Sequence, residues 1–384
     1  MLKTEVMDLT TICQSFPEIA VGAECANSGM VIRDHILQTI DDMFNGEVQL
    51  ISVEGDEEVG KTTLLVQFAK SHPKNCISLF IKPSYSLGYD TTVLRYDLCN
   101  QINWVLKQEQ IDPEEVDSSL LQMSLMRLRT FARSRRQKFY FVVDGLFDIP
   151  DNSLYYQNLI LDMLPIGAPN FRFLFSGDLS NIPASKLKDV RCKSFPLTGF
   201  TLEETIKFFG DLRVDRKLVE ELHKTCRKMP GRLASAKRIL QTGVEPGTII
   251  YQMADELRDW FQIEWKSVDT NNDLQNNVLS IVAYDQKIHN VTELAKMLGV
   301  STDDIFNSVA NIKFICIDRF TKTITFVSDS FRKFAAEKLR SRKDQALDLV
   351  ISYLFREPNS DKALSELPSY LEQTERFDEL LNSL

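Results

Sequence analysis

An eight-residue loop bounded by glycines, residues 55–62 (GDEEVGKT), constrains the fold of this chain more than any other feature of its sequence. The loop fits the pattern GxxxxGK[ST] in full, and it lies between a strand-like run, LISVE, and a helical pattern, TTLLVQFAK. In this context backbone N–H groups and the helix N-terminus surround phosphate oxygens, Lys61 neutralises the β- and γ-phosphates, and the Thr62 hydroxyl ligates Mg²⁺. The loop therefore predicts a nucleoside triphosphate site. Its predicted nucleotide-binding residues are Gly55, Val59, Gly60, Lys61, Thr62 and Thr63.

Strand-like runs alternate with helical patterns over the first half of the chain. Three further apolar runs, CISLFI at 76–81, FYFVVD at 139–144 and FRFLFSG at 171–177, are separated by helical patterns. Parallel strands need long crossover connections, and parallel sheets are covered by helices on both faces. The sequence therefore predicts an α/β fold of the P-loop type, with a mostly parallel sheet between two layers of helices.

An acid at the end of a neighbouring strand is the second requirement of such a site. The run FYFVVD ends on Asp144, which we predict to be the metal-side acid and a Mg²⁺ ligand together with Thr62. Four residues later, Asp148 is a candidate to orient or deprotonate the attacking water, and the alternative is an acid that only caps the loop. Lys61, Asp144 and Asp148 form the predicted catalytic set.

Two further places are candidates for contacts with the nucleotide. Ser176, at the end of the strand FRFLF, is a candidate γ-phosphate sensor, and a plain turn is the alternative. In the segment MPGR, Pro230 is a candidate to press on the adenine and Arg232 to reach a phosphate. The alternative for this segment is an ordinary helix start with proline in its first turn.

The chain becomes mainly helical after about residue 195. Residues 274–343 combine helices, a turn at Gly299 and two short strand-like runs in the order of a winged helix. The predicted divisions are an N-terminal segment with a helix beside the nucleotide base (1–45), a P-loop NTPase core (46–198), a helical lid subdomain (199–272), a winged-helix domain (273–343) and a helical segment (344–384) that begins a tetratricopeptide-like repeat region.

The last helices contain apolar residues that a single repeat cannot bury. Repeat arrays need at least about three repeats to be stable, because each repeat buries its apolar face against a neighbour. These residues are therefore expected to need a covering neighbour: Leu367, Tyr370, Leu371, Phe377, Leu380 and Leu381. The chain would then be a fragment of a larger sensor or work with partner subunits.

Charge and cysteine usage exclude several classes of protein. Lys and Arg total 45 and Asp and Glu total 54, and the net charge of −9 argues against a chain that coats nucleic acid or an anionic membrane. The seven cysteines form no CxxC pair and there are four histidines, so neither a disulfide framework nor a structural zinc site is expected. No apolar run is long enough to span a bilayer and no signal peptide is evident, so we expect a cytoplasmic protein.

Several segments of the sequence, taken in their order along the chain, resemble one protein family. GDEEVGKTT, FVVDGLFD, FLFSGD, FPLTGFTLEET, KMPGRLASAKRILQTG and the winged-helix pattern follow one another as in the signal-transduction ATPases with numerous domains, the STAND class that includes NACHT and NB-ARC proteins. SLGYDTTVLRYDLCNQINWVL is similar to bacterial antiviral STAND proteins of the Avs type. The resemblance covers about residues 20–343.

The resemblance implies roles for several residues. Lys61 and Thr62 would be the Walker A pair, Asp144 the Walker B acid, and Pro230 the proline against the nucleotide base. The segment VGAE, with Val21 and Gly22 in it, would lie beside that base.

Three departures from the family pattern stand out. Ala23 replaces the arginine that is usual in the VGRE segment. Ser176-Gly177-Asp178 stands where members often carry an arginine after the fourth strand, so the resemblance does not assign a phosphate-sensing arginine here. Ser328 stands where several members use a winged-helix histidine to hold ADP, so the resting state is expected to be locked differently.

The resemblance implies a switch that binds and slowly hydrolyses ATP. ADP would favour a closed monomer, and ATP with Mg²⁺ and a trigger would open it into a homo-oligomer or a complex with effector and sensor subunits. The Avs-type similarity implies a role in bacterial antiviral defence with a viral protein as the trigger. In that family an effector domain precedes the NTPase, and we expect the 45 or so residues before the phosphate loop's strand to be too few for an enzymatic one.

Two other readings stay open. An AAA+-type ATPase would act on DNA through the winged helix, and residues 274–343 carry 11 Lys and Arg against 7 Asp and Glu. However, the helix that would enter the major groove begins with Asp303 and Asp304, where phosphates and bases favour Arg, Lys or Asn. The third reading is a nucleotide-bound scaffold without turnover.

Overall fold

The computed structural model divides the chain into two compact units. The first contains the residues up to Val219 together with Cys226–Gly231, and the second contains Glu220–Thr225 and Arg232–Leu384. The structure describes residues 30–81, 86–112, 116–150, 154–245, 256–285, 289–317, 322–356 and 361–383.

The first unit is built on a five-stranded sheet in which all strands are parallel. The strands are β1 (Leu50–Glu54), β2 (Cys76–Phe80), β3 (Phe139–Asp144), β4 (Phe171–Ser176) and β5 (Cys192–Pro196). Their order is β2-β3-β4-β1-β5, so β1 pairs with β4 on one side and with β5 on the other. This confirms the predicted parallel sheet of a P-loop α/β fold.

Helices cover both faces of this sheet, as predicted. The helices of the first unit are α1 (Asp34–Asn45), α2 (Lys61–Ser71), α3 (Thr91–Lys107), α4 (Ser118–Ser134), α5 (Leu154–Met163), α6 (Ala184–Leu187), α7 (Leu202–Phe208) and the start of α8 (Arg216–Thr225). Side chains of β3 alternate between two cores: Phe139 and Phe141 pack with α3, α4 and α5, whereas Tyr140 and Val142 pack with α1 and α2. This alternation follows from the two-residue period of a strand.

The second unit is mainly helical and contains a small antiparallel sheet. Its elements are α9 (Pro230–Gln241, whose first two residues belong to the first unit), α10 (Leu257–Trp265), α11 (Asp273–Tyr284), β6 (His289–Asn290), α12 (Val291–Leu298), α13 (Thr302–Val309), β7 (Ile315–Ile317), β8 (Thr323–Phe326), α14 (Asp329–Lys338), α15 (Lys343–Leu354), α16 (Asp361–Gln373) and α17 (Phe377–Ser383). The strand order is β6-β8-β7, and both pairings are antiparallel. The assignment of this part as a winged helix stays a prediction.

The last helices share one apolar core with the rest of the second unit. Leu367, Tyr370 and Leu371 of α16 are buried among side chains of α11, α12 and α15. Tyr370 also donates a hydrogen bond to the buried Asp285 carboxylate, and His289 lies 2.9 Å from the other oxygen of that carboxylate. The expectation that these three apolar residues need a neighbouring repeat is therefore wrong, because the chain itself covers them. Phe377 is exposed, as expected.

Candidate functional site

The phosphate loop follows β1 and leads directly into α2, as the motif predicts. Gly60 is the residue before α2 and has a left-handed backbone, with φ of +90°. Gly55 has φ of +146°, and a Cβ atom there would lie 2.8 Å from the carbonyl oxygen of Leu197. Glycine is required at these positions, because other residues rarely adopt such backbone angles and Gly55 has no room for a side chain. Val59 is buried beneath the loop, and Thr63 in the first turn of α2 is half-buried.

Lys61 spans the loop from the first turn of α2. Its Nζ donates to the carbonyl oxygens of Gly55 at 2.6 Å and Asp56 at 3.0 Å. The ammonium group therefore lies on the concave side of the loop, where phosphate oxygens accept charged hydrogen bonds in sites of this kind.

Thr62 and Asp144 lie in contact, although they are 82 residues apart in the chain. The Thr62 hydroxyl donates to Asp144 Oδ2 at 2.7 Å. Asp144 is the last residue of β3, and α2 begins shortly after the last residue of β1. Because all strands of the sheet are parallel, the ends of β3 and β1 lie at the same edge, with the end of β4 between them. These are the two residues predicted to ligate Mg²⁺.

The Asp144 carboxylate is buried and held by polar neighbours. Burial raises its pKa, and the nearby negative charge of Asp148 acts in the same direction, whereas hydrogen bonds from Ser176 and Thr62 lower it. Ser176 Oγ also accepts from the backbone N–H of Gly145 at 3.3 Å. Ser176 therefore lies at the predicted edge of the sheet, and its hydroxyl belongs to the hydrogen-bond network that holds Asp144.

Asp148 lies close enough to act on the same site. It ends a short 3₁₀ turn, Leu146–Asp148, and its side chain is exposed to solvent. Among the residues that the structure describes, its carboxylate makes no hydrogen bond, so the capping alternative gains no support. Its charge acts on the pKa of Asp144.

The segment MPGR also comes close to the phosphate loop. Pro230 is the first residue of α9, and a Cβ atom on Gly231 would lie 3.0 Å from Cβ of Glu58. The helix therefore starts directly against the loop, and the contact of Pro230 with the adenine stays a prediction. Arg232, the next residue, belongs to the second unit and has partners within the chain. Val21 and Gly22, predicted beside the base, lie outside the described residues.

In the described parts of the chain, no cluster of three or more His, Cys, Asp or Glu side chains occurs. Thr62 and Asp144 are two oxygen donors that meet beside the phosphate loop. This donor set fits Mg²⁺ in a nucleotide site, because that ion takes one or two protein oxygens and completes its octahedron with phosphates and water. A dedicated all-protein metal cage is not seen among these residues.

Gly145 is a site residue that the motif analysis missed. Its φ is +75°, and a Cβ atom there would lie 2.3 Å from the carbonyl oxygen of Ile81. The backbone N–H of Ile81 donates in turn to the Asp144 carbonyl at 2.9 Å. The strand-terminal acid therefore depends on a glycine next to it, and the Asp-Gly pair at the end of an apolar run was the available signal.

A buried ion pair between Arg33 and Glu204 was also missed. Arg33 Nε lies 3.0 Å from Glu204 Oε1, and Nη1 donates to the Thr198 carbonyl at 3.0 Å. Glu204 also closes a capping box with Thr201 at the start of α7. The pair ties the residue before α1 to the segment that follows β5. The T-x-x-E pattern of Thr201 and Glu204 predicts the capping box, but no pattern in the nearby sequence identifies Arg33 as the partner of Glu204.

Ser328, which stands where several STAND proteins have a histidine, lies directly before α14 and stabilises the start of that helix. The Ser328 side chain accepts from the backbone N–H of Phe331 at 3.1 Å and caps the helix. The serine at this position is therefore explained by its role as a helix N-cap, for which serine is a preferred residue.

In the described part of the chain, no helix is both long and apolar enough to cross a bilayer. The chain shows no match to known protein families or to curated protein sequences.

Several solved structures are similar to this chain at low sequence identity. A STAND protein with a tetratricopeptide repeat sensor from Pyrococcus horikoshii superimposes with a TM-score of 0.58 and 12% identity over 92% of this chain and 50% of that one. A Walker-type ATPase of Pyrococcus abyssi gives a TM-score of 0.42 at 12% identity, over 80% of this chain and 96% of that one. Cdc6p from Pyrobaculum aerophilum gives 0.35 at 12% identity, over 81% and 94%. This chain thus spans about half the length of the STAND protein, and its fold is that of a P-loop NTPase.

Proposed function

We propose that this chain is an ATP-binding and ATP-hydrolysing switch of the STAND class. The observation that carries the proposal is the 2.7 Å hydrogen bond between Thr62 and the buried Asp144 at the end of a glycine-bounded phosphate loop. A hydroxyl and a carboxylate that meet beside such a loop suit a nucleotide-bound Mg²⁺ better than a purely structural contact, since burial of the acid is costly without a partner.

The residues of the loop bind and orient the triphosphate. Lys61 exchanges the carbonyl oxygens of Gly55 and Asp56 for phosphate oxygens, because a charged acceptor forms the stronger hydrogen bond. The N-terminus of α2 adds partial positive charge at the same place. Thr62 and Asp144 would hold Mg²⁺, which when bound neutralises charge on the transferring phosphoryl group.

Asp148 is the residue we assign to the attacking water. Its exposed carboxylate lies near Asp144 and has no hydrogen-bond partner in the described residues, so it is free to accept a proton or orient a water molecule. We propose that Ser176 acts through Asp144, whose carboxylate it holds, and does not contact the γ-phosphate itself. Turnover is expected to be slow and to time a regulatory state.

The contact between Gly231 and Glu58 supports the switch itself. The helix α9 begins against the phosphate loop and continues into the second unit, so a change in the loop on nucleotide exchange reaches the helical part of the chain through covalent connection. The motif order resembles STAND proteins, and the solved relative carries a tetratricopeptide repeat sensor. From that resemblance we infer ATP-dependent assembly in antiviral defence in the cytoplasm, with a viral protein as trigger and Pro230 against the base.

Two substitutions test the enzymatic proposal. Lys61→Ala is expected to abolish MgATP binding in calorimetric titration, and unchanged affinity would end the nucleotide-site assignment. Asp148→Asn is expected to keep MgATP binding and to lose most phosphate release. Hydrolysis at the wild-type rate in Asp148→Asn would move the water-positioning role elsewhere, and no hydrolysis by the wild-type chain would leave a scaffold.

The acids at the start of α13 have a local explanation. Asp304 closes a capping box with Ser301, whose backbone N–H donates to its carboxylate at 2.9 Å. These acids do not favour DNA at this helix, and we propose that the second unit does not bind duplex DNA. A gel shift of sub-micromolar affinity at about 150 mM salt would contradict this, because non-specific binding is much weaker there.

A further inference from the structure

A small cavity lies between α3, α4 and α5 of the first unit. Its volume of about 210 Å³ is below the roughly 300–1,000 Å³ of pockets for drug-sized ligands. Uncharged polar side chains and one arginine from the starts of α3 and α4 form one part of its wall: Thr91, Arg95, Ser118 and Gln122. Apolar side chains of α4 and α5 form another part: Leu121, Leu159 and Met163. The cavity therefore suits a small ligand with a polar end and an apolar end.

The guanidinium group of Arg95 lines this cavity without a partner. Its Nε atom is shielded from solvent and has no hydrogen-bond partner, and Arg95 forms no ion pair with the described residues. Two buried arginines of the same unit are satisfied within the chain, because Arg33 donates to Glu204 and Arg172 donates to backbone carbonyls. A shielded donor without an acceptor is costly, and more so when it is charged. Arg95 is therefore expected to take its acceptor from outside the chain.

The acids near the cavity do not compensate this charge. Asp162 lines the cavity, but its side chain is 61% exposed and pairs with Lys186 of α6. Asp90 and Asp117 precede the two helices and accept hydrogen bonds from backbone N–H groups of their first turns. All three carboxylates are thus engaged elsewhere, and together they place negative charge around the cavity.

We infer that this cavity binds a small organic monocarboxylate. The carboxylate accepts from the guanidinium of Arg95, which offers parallel N–H groups in one plane, and the apolar body of the ligand packs against Leu121, Leu159 and Met163. A water molecule would satisfy the shielded Nε–H and leave the apolar wall uncovered. The site shares no residue with the phosphate loop, so the inference does not rest on the proposed function.

The surrounding acids select a carboxylate over a phosphate group. Both groups match the planar donors of an arginine. A phosphate monoester, however, carries between about 1.5 and 2 negative charges at neutral pH, whereas a carboxylate carries one. Repulsion from Asp90, Asp117 and Asp162 therefore disfavours the phosphate more strongly.

Nitrogen NMR of the full chain, labelled at arginine and free of nucleotide, tests the contact directly. The probes are benzoate, hexanoate and isovalerate at millimolar concentration, each compared with its own amide, and inorganic phosphate. The Nε–H signal of Arg95 is identified by its loss in Arg95→Met. At least one of the three acids should shift this signal and raise the melting temperature, whereas its uncharged amide should do neither.

Three variants locate the binding site. Arg95→Met should lower the affinity for the carboxylate about tenfold or more, because the charged hydrogen bonds are lost. Without ligand it should melt no lower than wild type, since it removes a shielded donor that has no partner in the chain. Gln122→Glu adds a negative charge at an exposed position of the wall and should also weaken binding. The control, Arg129→Met, removes an exposed arginine of α4 outside the cavity lining and should bind as wild type.

Several results would overturn the inference. These are an Arg95 signal that no acid shifts, an equal shift by the amide, wild-type affinity in Arg95→Met, or a melting temperature of that variant well below wild type. A larger response to inorganic phosphate than to every carboxylate would reassign the cavity to a phosphate-bearing ligand. Calorimetric titration with MgATP tests the proposed function separately, and Arg95→Met should bind MgATP as wild type does.

Discussion

Replacement of Gly145 by alanine separates the effect of backbone strain from the effect of displacing Asp144. A Cβ atom at this position would lie 2.3 Å from the Ile81 carbonyl oxygen, and such contacts under 3.0 Å essentially never occur. The Asp144–Gly145 backbone or Ile81 must therefore move by at least 0.7 Å, the difference between these two distances. Because Asp144 meets Thr62 at 2.7 Å, a shift of that size breaks the alignment of the two side chains that we propose hold Mg²⁺.

The expected loss follows from two contributions. The left-handed backbone, with φ of +75°, costs a residue with a side chain about 1–2 kcal/mol of stability. The displacement adds a functional loss, because a misplacement of about 1 Å at a reacting centre can cost on the order of 100-fold in rate. We expect Gly145→Ala to lower kcat/KM for ATP hydrolysis by about 10- to 100-fold.

Gly167→Ala is the matched control in the same unit. Gly167 also has a left-handed backbone, with φ of +86°, but its added Cβ would lie at an ordinary 3.4 Å from Val190. Both variants should lose stability through backbone strain in thermal unfolding, Gly145→Ala more than Gly167→Ala because of its clash with Ile81, and only Gly145→Ala should lose hydrolysis. Equal kcat/KM values in the two variants would refute the argument that Gly145 positions Asp144.

Two further substitutions probe buried charges of the first unit. Burial raises the pKa of Asp144 above its ordinary value, so its ionised form weakens the fold at neutral pH and this penalty disappears as pH falls through the raised pKa. Asp144→Asn should therefore raise the melting temperature of the nucleotide-free chain and abolish Mg²⁺-dependent ATP binding. As pH falls, the wild-type affinity for MgATP should begin to decrease at a pH above the ordinary pKa of an aspartate. A lower melting temperature of the variant, or a wild-type affinity that stays constant down to the ordinary aspartate pKa, would contradict this. Arg33→Met leaves the buried Glu204 without its cation and should cost about 3–5 kcal/mol in urea unfolding, whereas addition of Glu204→Gln to that variant should recover part of the loss. Strictly additive losses would show that the two side chains do not interact.

The sequence predicted those parts of the site that depend on local chemistry. The phosphate loop requires glycine at Gly55 and Gly60 for backbone conformation, and lysine and threonine must follow at the first turn of the helix, so the motif is complete within eight residues. The parallel sheet followed from the alternation of apolar runs with helical patterns, because period and length distinguish strand from helix. The acid at the end of β3 was visible for the same reason, as the end of an apolar run.

Contacts between distant residues were not visible in the sequence. The Arg33–Glu204 pair joins residues 171 positions apart, and no local pattern connects an arginine before α1 with a glutamate in α7. Tyr370 and its neighbours in α16 looked like an uncovered repeat, yet they are buried, since the helices that cover them lie earlier in the chain. Whether an apolar residue is buried depends on which element packs against it, and the helical periodicity of the sequence does not identify that element.

The contact between Thr62 and Asp144 shows where the two kinds of information meet. Both residues are plain in the sequence, one in the phosphate loop and the other at the end of an apolar run. The order β2-β3-β4-β1-β5 and the common direction of the strands place all loops that precede strands at one edge and all loops that follow them at the other. The sequence thus determined the charges and the phosphate loop, and the tertiary structure decided which charges act together, because electrostatic interaction depends on distance in space and not on distance along the chain.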